Sequence, residues 1–330
     1  MRRFALIGAG RIGRIHAANL VALPGAELAC VADTDTTAAE ALARLHRGRV
    51  ASASDAIADG SIDALLIASS TDTHATLIEQ GARAGKAIFC EKPLDLDLDR
   101  AARCLAVADE AGVVLRLGFN RRYDPGFARI RRGIAAGEIG DLATLAITSR
   151  DPAPPPLEYV RRSGGLFRDM MIHDFDMARW LMGEEPAQVY ARGACFVDPG
   201  IAAAGDVDTA AVLLTTASGR MCQITNSRRC SFGYDQRIEA FGALGMLRAE
   251  NATATRVEHA VRTGFTTEPA LPFFLERYAE AYRLELADFL KALAGESVQL
   301  ATGHDGLRAL ALAEAAQRSH ETGLPVVVVA

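Results

Sequence analysis

At 330 residues, half of them hydrophobic and 23% charged, the chain has material for two domains with buried cores. A net charge of −5 and a pI near 5.9 argue against a nucleic-acid or anionic-membrane partner, and no apolar run approaches the roughly 18 residues of a membrane helix. The six cysteines, Cys30, Cys90, Cys104, Cys195, Cys222 and Cys230, show neither CxxC nor metal-ligand spacing, so reduced thiols, a cytoplasmic location and no metal are expected.

Phe4-Ala5-Leu6-Ile7 reads as a buried parallel strand. The apolar run is broken by Gly8 and Gly10 and stops at Arg11, too early for a signal peptide. Gly8-Ala9-Gly10-Arg11-Ile12-Gly13 follows the strand at once, and Arg14 to Leu23 then reads as a helix. This is G-x-G-x-x-G in the strand–turn–helix context it needs. The glycines let the backbone turn tightly and approach a pyrophosphate, whose charge sits at the helix N-terminus. A second strand, 27–32, ends in Asp33. A carboxylate there accepts from a ribose 2′-OH and repels a 2′-phosphate, and no arginine immediately follows, so NAD is expected rather than NADP.

The alternation continues. Helices are expected at 36–46 and 53–59, then a strand at 64–68 ending in Ser69-Ser70-Thr71, a helix from His74 to Ala84, a strand at 87–90, a helix at 99–111 and a strand at 113–118. This rhythm implies a doubly wound parallel sheet with ligands beyond the carboxyl ends of its strands. Ser69-Ser70-Thr71, Glu91-Lys92-Pro93 and Phe119-Asn120-Arg121-Arg122 then face the same crevice as the glycine loop. Lys92 stands out further because all 36 basic residues except Lys86, Lys92 and Lys291 are arginines.

Composition shifts after Arg122. A short helix is expected at 130–136 and an alternating strand at 142–150. Pro152, Pro154, Pro155 and Pro156 make a stiff extended loop with Asp151 at its entrance, either a spacer or a wall beside a site. Gly164 to Trp180 reads as one helix, on which Asp169, His173 and Asp176 share a face at i, i+4, i+7. Such a face is either solvated or a proton-transfer site, since a carboxylate one turn away can hold one imidazole nitrogen and leave the other to move a proton. A metal site at His173, Asp174 and Asp176 is disfavoured, because adjacent side chains diverge on a helix. Short strands at 188–197, 208–216, 220–228, 236–242 and 245–250, with hairpin turns at 217–219 and 242–245, imply an antiparallel sheet with one covered face. Tyr234 lies at a strand entrance, amphipathic helices are expected at 276–293 and 306–319, and 325–330 reads as a closing strand.

Cys90-Glu91-Lys92-Pro93, downstream of the glycine loop, resembles the Gfo/Idh/MocA oxidoreductase family. The likeness runs along the whole chain. Gly118 to Asp124, the Asp169/His173 segment, Gly233 to Arg237 and Phe274 to Tyr282 are similar to the family's inositol dehydrogenases. The resemblance implies an α/β protein: a Rossmann doubly wound domain over 1–120 and an α+β substrate and oligomerisation domain over 121–330, built on a mainly antiparallel sheet. It implies NAD as cofactor, held by Gly8, Gly10, Arg11, Ile12, Gly13, Asp33, Ser69, Ser70, Thr71, His74, Glu91 and Lys92. Lys92, Asp169 and His173 become the catalytic group, and Arg122, Asp151 and Tyr234 join them in binding substrate. The implied reaction is oxidation of a secondary hydroxyl of a cyclic polyol, myo-inositol to its 2-keto product foremost, in a homo-oligomer, a dimer or tetramer. The alternatives are another inositol isomer or an aldose, an NAD-dependent glycosidase of the same family, and a non-catalytic sensor that uses NAD only for folding.

Overall fold

The computed structural model describes residues 1–328. They form two compact units, Met1–Tyr123 with Glu280–Leu310, and Asp124–Ala279 with the segment from Ala311 on. This differs from a single division after residue 120, because Glu280–Leu310 returns to the first unit. Its apolar side chains explain why. Leu286, Phe289 and Leu300 are buried in one core with Phe4, Leu6 and Phe89, and the Phe289 ring stands edge-on to Phe4 and Phe89 at 6.1 and 5.6 Å.

The first unit carries β1 (Arg2–Ile7), β2 (Ala26–Ala32), β3 (Arg49–Val50), β4 (Ala64–Ile67), β5 (Ala87–Cys90) and β6 (Leu115–Leu117). They form one parallel sheet in the order β3-β2-β1-β4-β5-β6. Strand order reverses between β1 and β4, the place where a doubly wound sheet opens a crevice. The strands β4 and β5 are short apolar runs, buried as strands between two helical layers must be. Helices at Thr36–His46 and Leu98–Glu110 start where Asp35 and Asp97 accept from Ala38 N and Arg100 N.

The second unit contains β7 (Leu142–Arg150), β8 (Pro186–Ala194), β9 (Thr209–Thr216), β10 (Met221–Ser227), β11 (Asp235–Gly242), β12 (Gly245–Ala249), a separate hairpin of β13 (Glu258–Val261) and β14 (Gly264–Thr267), and β15 (Val326–Val327). The main sheet runs β12-β11-β7-β10-β9-β8-β15. It is mixed rather than purely antiparallel: β7 inserts between β10 and β11 and runs parallel to β10. The β13–β14 hairpin was not expected, and residues 329–330 of the closing strand lie outside the described residues.

Alternation gives the main sheet two faces. Val189, Val212, Leu214, Cys222, Ile224, Leu145, Ile147 and Ile238 point inward and are buried. Register places Tyr190, Leu213, Gln223 and Ala146 in one outward row, and Met221, Thr144, Phe241 and Met246 in the next. Tyr190, Leu213, Met221, Phe241 and Met246 are large, apolar and exposed.

The stretch expected as one helix from Gly164 to Trp180 is interrupted. Helices run Leu157–Ser163, Gly165–Asp169 and Ile172–Met182. Gly164 and Gly165, at φ +86° and +81°, turn the chain between the first two. A Cβ on Gly165 would meet Asp206 Oδ1 at 2.7 Å, and that same oxygen accepts from Leu166 N at 3.0 Å. The second break needs no glycine. Met170 N and Met171 N both donate to Leu166 O, at 3.1 and 2.9 Å, which widens the last turn. A new helix then starts as Asp174 N and Phe175 N donate to Met171 O. Asp169, His173 and Asp176 are therefore not stacked on one continuous helix.

Candidate active site

In the first unit the glycine loop follows β1 and opens the helix Arg11–Ala22. Gly8 is at φ +107°, and a Cβ there would meet Ala68 O at 2.4 Å; one on Gly13 would meet Gly8 O at 1.9 Å. The loop therefore closes on β4 and on itself only with glycine at both places. Beside Gly10 the space is open, and the helix start has no side-chain cap. Uncapped N–H groups next to open space, at the positive end of a helix, suit a pyrophosphate. Arg11 and Ile12 form the first turn of that helix. Asp33 sits at the end of β2, where Oδ2 accepts from Ala9 N at 2.6 Å and Oδ1 from Asp35 N at 2.8 Å. The carboxylate is thus fixed beside the glycine loop, with lone pairs left for a ribose hydroxyl.

Ser69, Ser70 and Thr71 follow β4, and Ser70 precedes the helix Thr71–Arg83. The Ser69 and Thr73 hydroxyls lie 2.6 Å apart. His74 is buried, with Nδ1 2.7 Å from Pro93 O and Nε2 3.1 Å from Ser69 O. Burial holds its imidazole below the usual range, although both carbonyls oppose that. His74 is thereby a strut between the Ser69 and Lys92 loops, a role in which its side chain is already engaged with protein. Glu91 and Lys92 follow β5, with Glu91 N donating to Ile67 O at 2.9 Å and a cis Lys92–Pro93 peptide next. Arg122 is buried in the turn Asn120–Tyr123, with Nη2 3.2 Å from Asp305 Oδ1.

In the second unit Asp169 closes its short helix and His173 lies in the first turn of the next. Tyr159 Oη donates to Asp169 Oδ1 at 2.8 Å, and Arg228 Nη2 to Oδ2 at 3.4 Å. Arg228 is 2% exposed and Asp169 is mostly buried. Neither partner was expected from sequence. Arg228 follows β10 by one residue and reaches Asp169 from 59 positions away. Asp174 is buried and accepts from Ser149 Oγ at 2.6 Å and Asn226 Nδ2 at 2.9 Å. Asp176 is buried, with Oδ1 3.9 Å from Arg179 Nη1. Both are therefore interior groups rather than a solvated face. Asp151 begins the proline loop, its N–H donating to Ser227 O at 2.9 Å. Tyr234 is 5% exposed, with its ring edge-on to Phe273 and Tyr278, so its ring is packed in an aromatic cluster.

The strand order, glycine loop and fixed Asp33 define an NAD-dependent oxidoreductase. Residues 2–119 match the oxidoreductase family with an NAD-binding Rossmann fold, and residues 127–248 match the GFO/IDH/MocA C-terminal domain. The chain belongs to the Gfo/Idh/MocA family. It is 50% identical over 317 residues to inositol 2-dehydrogenase of Rhizobium meliloti, covering 96% of each chain. It superposes on the crystal structure of a myo-inositol dehydrogenase from Corynebacterium glutamicum with a TM-score of 0.95 and 42% identity, covering 100% of this chain and 99% of that one. It is similar, with a TM-score of 0.92 and 30% identity over 100% of both chains, to the scyllo-inositol dehydrogenase of Lactobacillus casei crystallised with NAD(H) and scyllo-inositol.

Proposed function

We propose that this protein oxidises the C2 hydroxyl of myo-inositol to a ketone, with Lys92, Asp169 and His173 handling the proton. The observation that carries the chemistry is the Asp169 carboxylate, clamped between a phenol and a buried guanidinium four residues before His173. The substrate rests on likeness to named inositol 2-dehydrogenases along the whole chain.

NAD, when bound, accepts the hydride from the carbinol carbon. His173 takes the hydroxyl proton as general base. Asp169, held by Tyr159 and Arg228, supports the imidazolium that results. Lys92 donates to the carbinol oxygen and stabilises developing alkoxide charge. Arg122, Asp151 and Tyr234 bind the remaining hydroxyls, since an uncharged polyol is recognised by directional hydrogen bonds.

The exposed rows of the main sheet support a homo-oligomer, a tetramer in this reading, because outward Tyr190, Leu213, Met221, Phe241 and Met246 form an apolar patch that association would cover. Among the described residues no helix is long and apolar enough to cross a membrane. The free thiols fit a cytoplasmic enzyme.

The test is NADH formation with myo-, scyllo- and chiro-inositol, glucose and galactose, using NAD and NADP in parallel. Stoichiometric NADH from myo-inositol is expected. Glycoside cleavage without net NADH would instead favour the glycosidase reading.

A further inference from the structure

Behind the Lys92 loop, within the first unit, three ionisable side chains from distant parts of the sequence meet: His16 of the helix Arg11–Ala22, Glu91 after β5, and Glu285 of the helix Ala279–Leu293. One ligand-type atom from each lies within 4.8 Å of the others. His16 and Glu285 are fully buried, and the Glu91 side chain is 13% exposed. His16 Nε2 is 2.6 Å from Glu91 Oε1. Among the described residues, neither carboxylate oxygen of Glu285 has a hydrogen-bonding partner, nor has His16 Nδ1. The walls are apolar, with Phe89 and Tyr282 edge-on to the His16 ring at 5.3 and 5.7 Å. A Cβ at Gly118 would meet Glu91 Oε1 at 3.0 Å, so the carboxylate is seated against backbone.

Two charged carboxylates cannot share such a place without a counter-ion. We propose that His16, Glu91 and Glu285 are a proton-holding cluster that positions Lys92: Glu285 is a neutral carboxylic acid, Glu91 is the anion, and the His16–Glu91 bond ties the Lys92 loop to the helix that opens on the dinucleotide. The cluster's function in catalysis rests on the role given to Lys92 above; its protonation state does not.

Burial pushes Glu285 well above the ordinary carboxylate range, and the Glu91 charge pushes the same way. Glu285 also acts on the Tyr123 phenol, which feels Arg122 too, and Asp288, the partner of Tyr123, pairs with Lys291. The Tyr123 phenol donates to Asp288 Oδ2 at 2.8 Å and is raised chiefly by burial and then by that bond. Glu91 is bonded directly to Lys92, so holding its carboxylate fixes the direction in which the next side chain leaves the loop. The same three atoms could instead hold a divalent cation, two carboxylates and an imidazole being a common ligand set, and the experiment separates the two.

The test is infrared spectroscopy of the full-length protein in H2O and D2O, with metal analysis of the same samples. The wild type should show a protonated-carboxyl carbonyl band that shifts in D2O and disappears as pH is raised. Glu285→Gln should lack that band and keep kcat within about twofold, whereas Glu91→Gln should lower kcat about tenfold or more with the NAD dissociation constant little changed. The absence of the band from the wild type, or one equivalent of metal in the wild type that Glu285→Gln loses, would overturn the proposal. The wild-type band and the metal content need neither a stable variant nor a substrate, so they decide the cluster even if inositol is not oxidised.

Discussion

Arg228 Nη2 lies 3.4 Å from Asp169 Oδ2, and the arginine that makes this contact is almost wholly buried. A guanidinium cannot give up its proton at any ordinary pH. It therefore carries a fixed positive charge that restricts where the neighbouring carboxylate can sit. Replacing Arg228 with methionine keeps much of the volume and removes the charge. The Asp169 carboxylate then loses a group that holds it, and kcat/KM should fall by about tenfold. Tyr159→Phe removes one hydrogen bond to the same group and should cost less, about three- to tenfold. An unchanged kcat/KM in Arg228→Met would show that this contact plays no part in placing Asp169 for the reaction.

Asp33 is the second place where charge decides the outcome. Its two oxygens already accept from Ala9 N and Asp35 N. Asparagine can keep one of these bonds but not the negative charge. Asp33→Asn should weaken NAD binding by about tenfold and reduce discrimination against NADP, whose 2′-phosphate the carboxylate repels. Fluorescence titration with both dinucleotides checks this.

Glu285 gives a stability signature. Its carboxyl is raised in the folded protein, so the folded state binds a proton that the unfolded state has released. The resulting stabilisation is fully present below the ordinary carboxylate range and is lost as pH rises toward the folded-state value. The Glu285 contribution to wild-type stability should therefore fall as pH rises above the ordinary carboxylate range, and Glu285→Gln should flatten that limb. Denaturant unfolding at a series of pH values measures the slope.

The outward rows of the main sheet make a prediction about assembly. Leu213 and Phe241 are 41% and 52% exposed on the same face, as the register through β10 and β7 places them. An arginine at each should prevent association, since a charge buried in an apolar contact is costly. Light scattering should report several times 35.1 kDa for the wild type and one chain's mass for the double variant.

The first unit was largely legible because its signals are local. A short apolar strand, a glycine turn and a helix occupy Arg2 to Ala22 without help from elsewhere, and Asp33 closes the motif at the next strand end. The Gly164–Trp180 segment was not, because the second helix break falls at Met170-Met171, where no residue announces it. It arises from two N–H groups sharing Leu166 O. Arg228, Tyr159 and His16 were invisible for a different reason. Each matters through a partner that only tertiary packing supplies, 59 positions away for Arg228 and 75 for His16. Glu285 looked like one acidic residue on an amphipathic helix, but its side chain is buried and meets His16 and Glu91 from far earlier in the chain.

In the proposed reaction His173 moves the proton. Steady-state oxidation of myo-inositol by His173→Ala, followed by NADH absorbance alongside an independent NAD titration, tests it most directly. A kcat lower by about 10²–10⁴-fold with NAD affinity unchanged is expected. A loss of less than about tenfold would contradict it and remove His173 from the role of base.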